Sequence, residues 1–388
     1  MLYHRRIVAL VTLLAPLAAA RAPVAVYHDR QLAATPTPAE TALAHAVASL
    51  VVGPDGDEPA LDPSLVDAAR RLAEESASAR EALTDAGVSD AFAIPVRYTA
   101  LDGGEVLAPI RTLLRTDVAR NAPTHFGVGL AGPAGSQRIG LVFVRRRASL
   151  SRFPRHFTVG DRFLLNGTLD GDLKDPLVLV STPGGRVREL RPRFEHHVFW
   201  TLVPFTEGHG RYTIEVQATD RYGTQVLNLL EVAASDVGEP AATPVVRLQP
   251  EPQPVASPSE AEERAMALVN RSRKQARLPA LEPSAALREE ARTHSRDMAE
   301  RGFFGHNSPT RGGLGQRLRS IGLGDMLARE NIAIAASPEI AHSELLRSPS
   351  HLRNILDPDV THLGVGVHRK GSGAQPVYTF TEVFAKLR

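Results

Sequence analysis

The chain has 388 residues, 43% hydrophobic and 23% charged, a globular composition long enough for two or three domains. A formal net charge of +2 gives no overall electrostatic case for nucleic acid, and local runs such as Arg145-Arg146-Arg147 read as solvated faces. The absence of cysteine excludes disulfides, thiolate metal sites and a lipid-bearing cysteine.

At the N-terminus, Arg5 and Arg6 precede an apolar run, residues 7–17, and then Ala18-Ala19-Ala20. This is the layout of a secretory signal, residues 1–20, with cleavage expected after Ala20. The run is short for a membrane span and no second long one follows, so a secreted or periplasmic product without a transmembrane anchor is predicted.

Four segments then recur in the same order. "PALDPS" (59–64) matches "PALEPS" (279–284), and "ALTDAGVSD" (82–90) resembles "RLRSIGLGD" (317–325). "LLRTDVARN" (113–121) resembles "LLRSPSHLRN" (345–354), and "PTHFGVGLAG" (123–132) matches "VTHLGVGVHR" (360–369). Four matches in register predict two copies of one α/β unit, residues 37–147 and 259–388. Between them, residues 148–235 are β-branched and aromatic, broken by turn residues. Ile214, Val216 and Ala218 alternate with Glu215 and Gln217 as in a half-buried strand, which predicts an all-β sandwich of immunoglobulin-like size with Trp200 in its core. Residues 236–258 are proline-dense and read as an extended linker.

In the last unit Ser259 and Glu262 form a capping box, predicting a helix to about Gln275. A second helix is predicted from Ser284 to near Gly302, its inward stripe being Leu287, Ala291, His294 and Met298. The loop "GFFGHNSPTRGG" carries His306, a short helix covers residues 314–321, and "ARENIAIAA" brings Glu330 into apolar company. Ser337-Pro338 starts another helix. In "RSPSHLRNIL", Pro349 takes a first helical position with Ser348 as its cap, which puts His351 in the first turn. A helix N-terminus favours the neutral imidazole, the form that binds metal or accepts a proton. Two strands, residues 363–368 and 377–384, close the unit.

The segments "LVNRSRKQARLPAL", "REEARTHSRDMAERGFFGHNSP", "RENIA", "SPSHLRNIL", "THLGVGV" and "YTFTEVF" resemble the CAP superfamily, the α-β-α sandwich of cysteine-rich secretory proteins, antigen 5 and plant pathogenesis-related proteins, in its cysteine-free bacterial form. The resemblance spans nearly all of residues 259–388 and makes residues 37–147 a degenerate copy. The implied architecture is multidomain, two α-β-α sandwich units flanking an all-β immunoglobulin-like sandwich. By motif, the resemblance places the family's cleft cluster on His306, Glu330 and His351, with Glu344 the candidate fourth residue and Glu339 a weaker one. Two neutral imidazoles suit a divalent metal such as Zn²⁺, and a carboxylate can ligate it or orient a ring. Binding is then expected to weaken as protons compete near pH 6.5.

The first copy has Val118 or Ala119 opposite His351, no acid in the "FAIPVR" that matches the surroundings of Glu330, and no segment matching His306. His125 does match His362, which points to a structural role for both, and His294 reads as a satisfied core histidine. The implied function is a secreted binding module for a small or lipid-like ligand, the partner being an extracellular or envelope lipid, wall component or protein. The alternatives are a metal-dependent or Ser/His hydrolase, with Ser308 or Ser348 as the serine, and a structural envelope or adhesion protein. No catalytic residue is assigned.

Overall fold

The computed structural model describes residues 25–29, 33–53, 56–74, 79–101, 106–133, 136–236, 254–324, 326–370 and 377–387. The signal-like segment and most of the proline-dense segment lie outside them.

The first part of the chain contains β1 (Val26–Tyr27), α1 (Pro38–Ala48), β2 (Ala60–Leu61), α2 (Pro63–Ala73), α3 (Ala79–Asp85) and β3 (Ala93–Leu101). A single turn, α4 (Arg111–Leu113), runs on through wider and tighter helical turns to Asn121, followed by β4 (His125–Ala131) and β5 (Ser136–Val144). The sheet order is β2-β4-β5-β3, with β2 parallel to β4 and the other pairs antiparallel. Thr37 and Glu40 close a capping box on α1, and the Asp62 side chain caps α2. The α2 face bearing Leu65, Ala69 and Leu72 is buried.

Ten strands follow: β6 (Ala148–Leu150), β7 (Phe153–Pro154), β8 (His156–Thr158), β9 (Arg162–Leu169), β10 (Lys174–Ser181), β11 (Val187–Leu190), β12 (Arg193–Glu195), β13 (Val198–Pro204), β14 (Gly210–Asp220) and β15 (Gly223–Ser235). β7 pairs with β1. The rest form sheets ordered β11-β10-β14-β15-β8 and β12-β13-β9-β6. Leu165, Phe199 and Val203 of one sheet share a core with Val178, Ile214, Val216 and Leu230 of the other. Two expectations change here. Trp200 is only half-buried: strand alternation turns Phe199 and Val203 inward and leaves Trp200 on the outer face. The alternation in β14 does not mark a solvated face, since Glu215 and Gln217 are 0% and 6% exposed. Other parts of the chain cover that side.

The last part contains α5 (Pro258–Gln275), β16 (Glu282–Pro283), α6 (Ala285–Arg301), α7 (Leu314–Ser320), β17 (Ala328–Ala335), α8 (Pro338–Arg347), α9 (Pro349–Ile355), β18 (His362–Lys370) and β19 (Val377–Ala385). The cap of α5 is Ser257, not Ser259, because Pro258 takes the first helical position. The helix therefore begins inside the stretch read as linker. The stripe Leu287, Ala291, His294 and Met298 is buried as expected. The sheet order is β16-β18-β19-β17, again with the short first strand parallel to its neighbour and the other pairs antiparallel.

The correspondence between the two four-stranded sheets extends to single residues. His125 and His362 each pair with the strand end, Val144 or Ala385, that faces Ala93 or Ala328 on the far side. Glu40 accepts two hydrogen bonds from Arg70, as Glu262 does from Arg292. The turns after α3 and α7 both close from Val88 N to Leu83 O or Leu323 N to Leu318 O, with Gly87 and Gly322 at positive φ. Asp62 and Ser284 both cap the helix that crosses the sheet, so "PALDPS" and "PALEPS" correspond with a two-residue slip. The glycines of "GVG" lie within a strand and not in a turn. A Cβ on Gly366 would sit 2.0 Å from Arg292 N, and one on Gly129 would sit 2.1 Å from Arg70 N.

Candidate functional site

Glu330 stands on the edge strand β17 and is buried. Arg317, on α7 and 1% exposed, donates to Glu330 Oε2 at 2.6 Å and to Glu290 Oε1 at 2.5 Å. Arg311 pairs with the other Glu290 oxygen. His306 Nδ1 lies 2.8 Å from Glu330 Oε1. Burial pushes the Glu330 carboxyl up, but the Arg317 charge and the His306 hydrogen bond outweigh it and hold it down at about 2. An ionised carboxylate only accepts, so His306 Nδ1 is the donor and Nε2 is the ring nitrogen turned away from Glu330 and open to a ligand.

His351 lies in the first turn of α9, with Ser348 at the N-cap position. Burial holds its ring at about 3, and the nearness of His306 adds to the effect. The ring is therefore neutral, and proton competition at His351 falls well below the pH 6.5 expected of a free histidine. Asn354 Nδ2 donates to the Glu330 carbonyl at 3.2 Å and to Asn331 Oδ1 at 2.9 Å, tying α9 to β17. Loop, strand and helix thus bring His306 into contact with Glu330 and His351 beside His306.

The proposed fourth residue does not join them. The Glu344 carboxylate pairs with Arg80 at 3.6 Å and Arg347 at 3.9 Å, and Glu339 pairs with Arg264 at 2.5 Å. The second buried acid of the cluster is Glu290, one helical turn before His294. Their shared place on the buried stripe of α6 was the available signal. Fully buried His294 sits at the base of the cluster, Nε2 3.1 Å from the Gly305 carbonyl and 3.9 Å from Glu330 Oε1, and burial lowers its pKa to about 4. His362 and His125 each bond the preceding threonine hydroxyl through Nδ1, not a backbone group.

Neither serine has a histidine base. Ser308 Oγ donates to Asp297 at 2.6 Å, and Ser348 Oγ donates to Glu215 instead of capping α9. A triad needs nucleophile, base and orienter within hydrogen-bond reach, which these contacts do not supply.

Among the described residues, no group of three or more His, Asp or Glu is arranged to hold a metal ion. Both Glu330 oxygens are taken by Arg317 and His306. The donor set that fits a divalent cation is two imidazoles, with Glu330 behind His306 as the orienting carboxylate.

The corresponding positions of the first unit separate fold from cleft. Ala82 stands for Arg317, Pro95 for Glu330, Ala68 for Glu290, Leu72 for His294 and Val96 for Asn331. Pro95 is tolerated because β3 is an edge strand. The Glu–Arg pair, the strand histidine and the glycines are kept. The cleft side chains are therefore not needed to build this sheet and its crossing helix.

Another buried acid, Glu382, lies outside the cluster. Glu382 on β19 accepts from Asn331 Nδ2 at 3.1 Å, and burial pushes its pKa up to about 7. An acid raised from its unfolded value contributes stability below pH 4.5 that is lost as pH rises through 7. Glu382→Gln is expected to gain at most about 3 kcal/mol over the parent at pH 8 and little at pH 4. Urea denaturation at both pH values checks this; an equal effect at both would contradict it.

Residues 266–384 match the model of the cysteine-rich secretory protein family, CAP. The C-terminal unit is a CAP domain of the cysteine-free kind. The chain is 36% identical over 112 residues to the uncharacterized protein YkwD of Bacillus subtilis, covering 29% of this chain and 44% of that protein. It is 42% identical over 78 residues to the uncharacterized membrane protein YlbC of the same organism, covering 20% and 22%. The chain thus spans less than half the length of either relative. Among solved structures, an extracellular protein containing a SCP domain from Bacillus anthracis is 24% identical, with a TM-score of 0.30, covering 47% of this chain and 66% of that one. Among the described residues, no helix is long and apolar enough to cross a membrane.

Proposed function

We propose that this is an exported binding protein whose CAP domain holds a divalent cation such as Zn²⁺ between His306 and His351. Residues 37–147 are a copy of the same fold that has lost the cleft and serves as scaffold, joined to the CAP domain through an immunoglobulin-like sandwich. The observation that carries this reading is the selective loss in the first unit: every charged group around Glu330 is replaced while the fold-bearing Glu–Arg pair stays. Two protein nitrogens leave open positions on the ion, where a small or lipid-like envelope ligand would bind through oxygen. The charged and apolar N-terminal segment supports export.

Titration calorimetry of the full chain with Zn²⁺ tests the cleft. One site is expected, weakened at least about 10-fold in His351→Ala and His306→Ala, as losing one of two ligands must cost more than losing an orienting partner. Thermal melting should stay close to the parent, since the sequence match puts Val118 or Ala119 opposite His351 in the first unit. Unchanged affinity in both variants would remove the site.

A further inference from the structure

The two histidines of the cleft sit on segments that share an unusual feature: each is gripped by the β-sandwich. The tip of the β14–β15 hairpin lies against the His306 loop. Asn307 N–H donates to the Tyr222 carbonyl at 2.9 Å, and the Tyr222 ring stacks on Phe303 at 5.7 Å. The backbones meet so closely that a Cβ on Gly305 would lie 2.6 Å from the Tyr222 carbonyl oxygen, and one on Gly223 would lie 3.3 Å from the His306 Cβ. On the other side, the buried Glu215 carboxylate of β14 accepts from Ser348 Oγ and, at 3.5 Å, from Ser350 N–H, the residue before His351. Gln217 Nε2 donates to its other oxygen at 2.7 Å. These contacts reach the backs of the loop and helix. The His306 side chain itself stays 27% exposed.

We infer that the sandwich is a positioning element of the CAP cleft: Tyr222 and Glu215 hold the His306 loop and the His351 helix in register, so that cation affinity is set partly by the neighbouring unit. This rests on the cleft reading above. A loop fixed only by the Glu330 and Arg317 contacts would sample more geometries, and a two-ligand site loses affinity with each ordering cost it must meet on binding.

The test uses the full chain, Zn²⁺ calorimetry and amide hydrogen exchange at Asn307. Tyr222→Ala is expected to speed exchange at Asn307 and weaken Zn²⁺ binding about 10-fold, a loss typical of removing a supporting group. Tyr222→Phe keeps the stacking and should retain both. Glu215→Ala, which frees the helix side, is expected to weaken binding likewise and serves if Tyr222→Ala does not fold. Faster exchange with unchanged affinity, or full affinity in both variants, would overturn the positioning role and leave the cleft reading standing. Absence of Zn²⁺ binding in the parent protein would overturn the cleft reading and this inference with it.

Discussion

Arg317→Ala is expected to destabilise the CAP domain by about 3–5 kcal/mol, because it leaves buried carboxylates without their cation. Arg317 is the shared partner of Glu290 and Glu330, and both acids are buried. Arg311 would still reach Glu290, but Glu330 would keep only His306 and the nearby His294. Glu330 is held down at about 2 chiefly because the Arg317 charge opposes its burial. Without that charge its pKa must rise, so part of the loss should be recovered by protonation as pH falls. Urea denaturation of the full chain measures the loss. A change below about 1 kcal/mol, the range of an exposed pair, would show that the network is screened by solvent.

Gly366→Ala is the second large effect. The added Cβ would meet Arg292 N at 2.0 Å and the Ala291 carbonyl carbon at 2.1 Å, both backbone atoms of α6. No rotamer change relieves a clash with helix backbone, so α6 must lift from β18 and uncover Leu287 and Ala291. A cost of about 3 kcal/mol or more is expected, at the upper end for overpacking. Gly322→Ala is the control: its φ is +78° with nothing within 4 Å of the new Cβ. It should cost only the strain of a left-handed residue, about 1 kcal/mol. Equal melting losses in the two variants would mean that backbone strain, and not close helix packing, explains these glycines.

The contrast between these sites shows what could be read in advance. The α6 stripe and the short helix carrying His351 follow from periodicity and caps within one segment, and they stand where expected, whereas the segment carrying Glu330 reads only as apolar and forms the edge strand β17. The Glu290–Arg317–Glu330 chain joins residues with no common period, so sequence spacing points to Glu344 and not to Glu290, the buried acid that shares Arg317 with Glu330. That residue had the right spacing but turned to Arg80 in another part of the chain. Glu215 misled for a related reason. Its alternation describes a strand with one polar face, and nothing local records that helix α9 will bury that face. Ser348 was legible as a cap position, but the partner of its hydroxyl lies 133 residues away. Local signals specify elements, whereas the ion pairs and contacts between units that complete the cleft depend on tertiary placement.

In the proposed function, the cleft of the CAP domain presents two imidazoles to a divalent cation. Zinc-edge X-ray absorption of the full chain loaded with one equivalent of Zn²⁺ tests it most directly. Imidazole scattering from two histidines with oxygen in the remaining positions is expected, falling to one histidine in His351→Ala and in His306→Ala. A spectrum without imidazole scattering, or one unchanged in both variants, would contradict it.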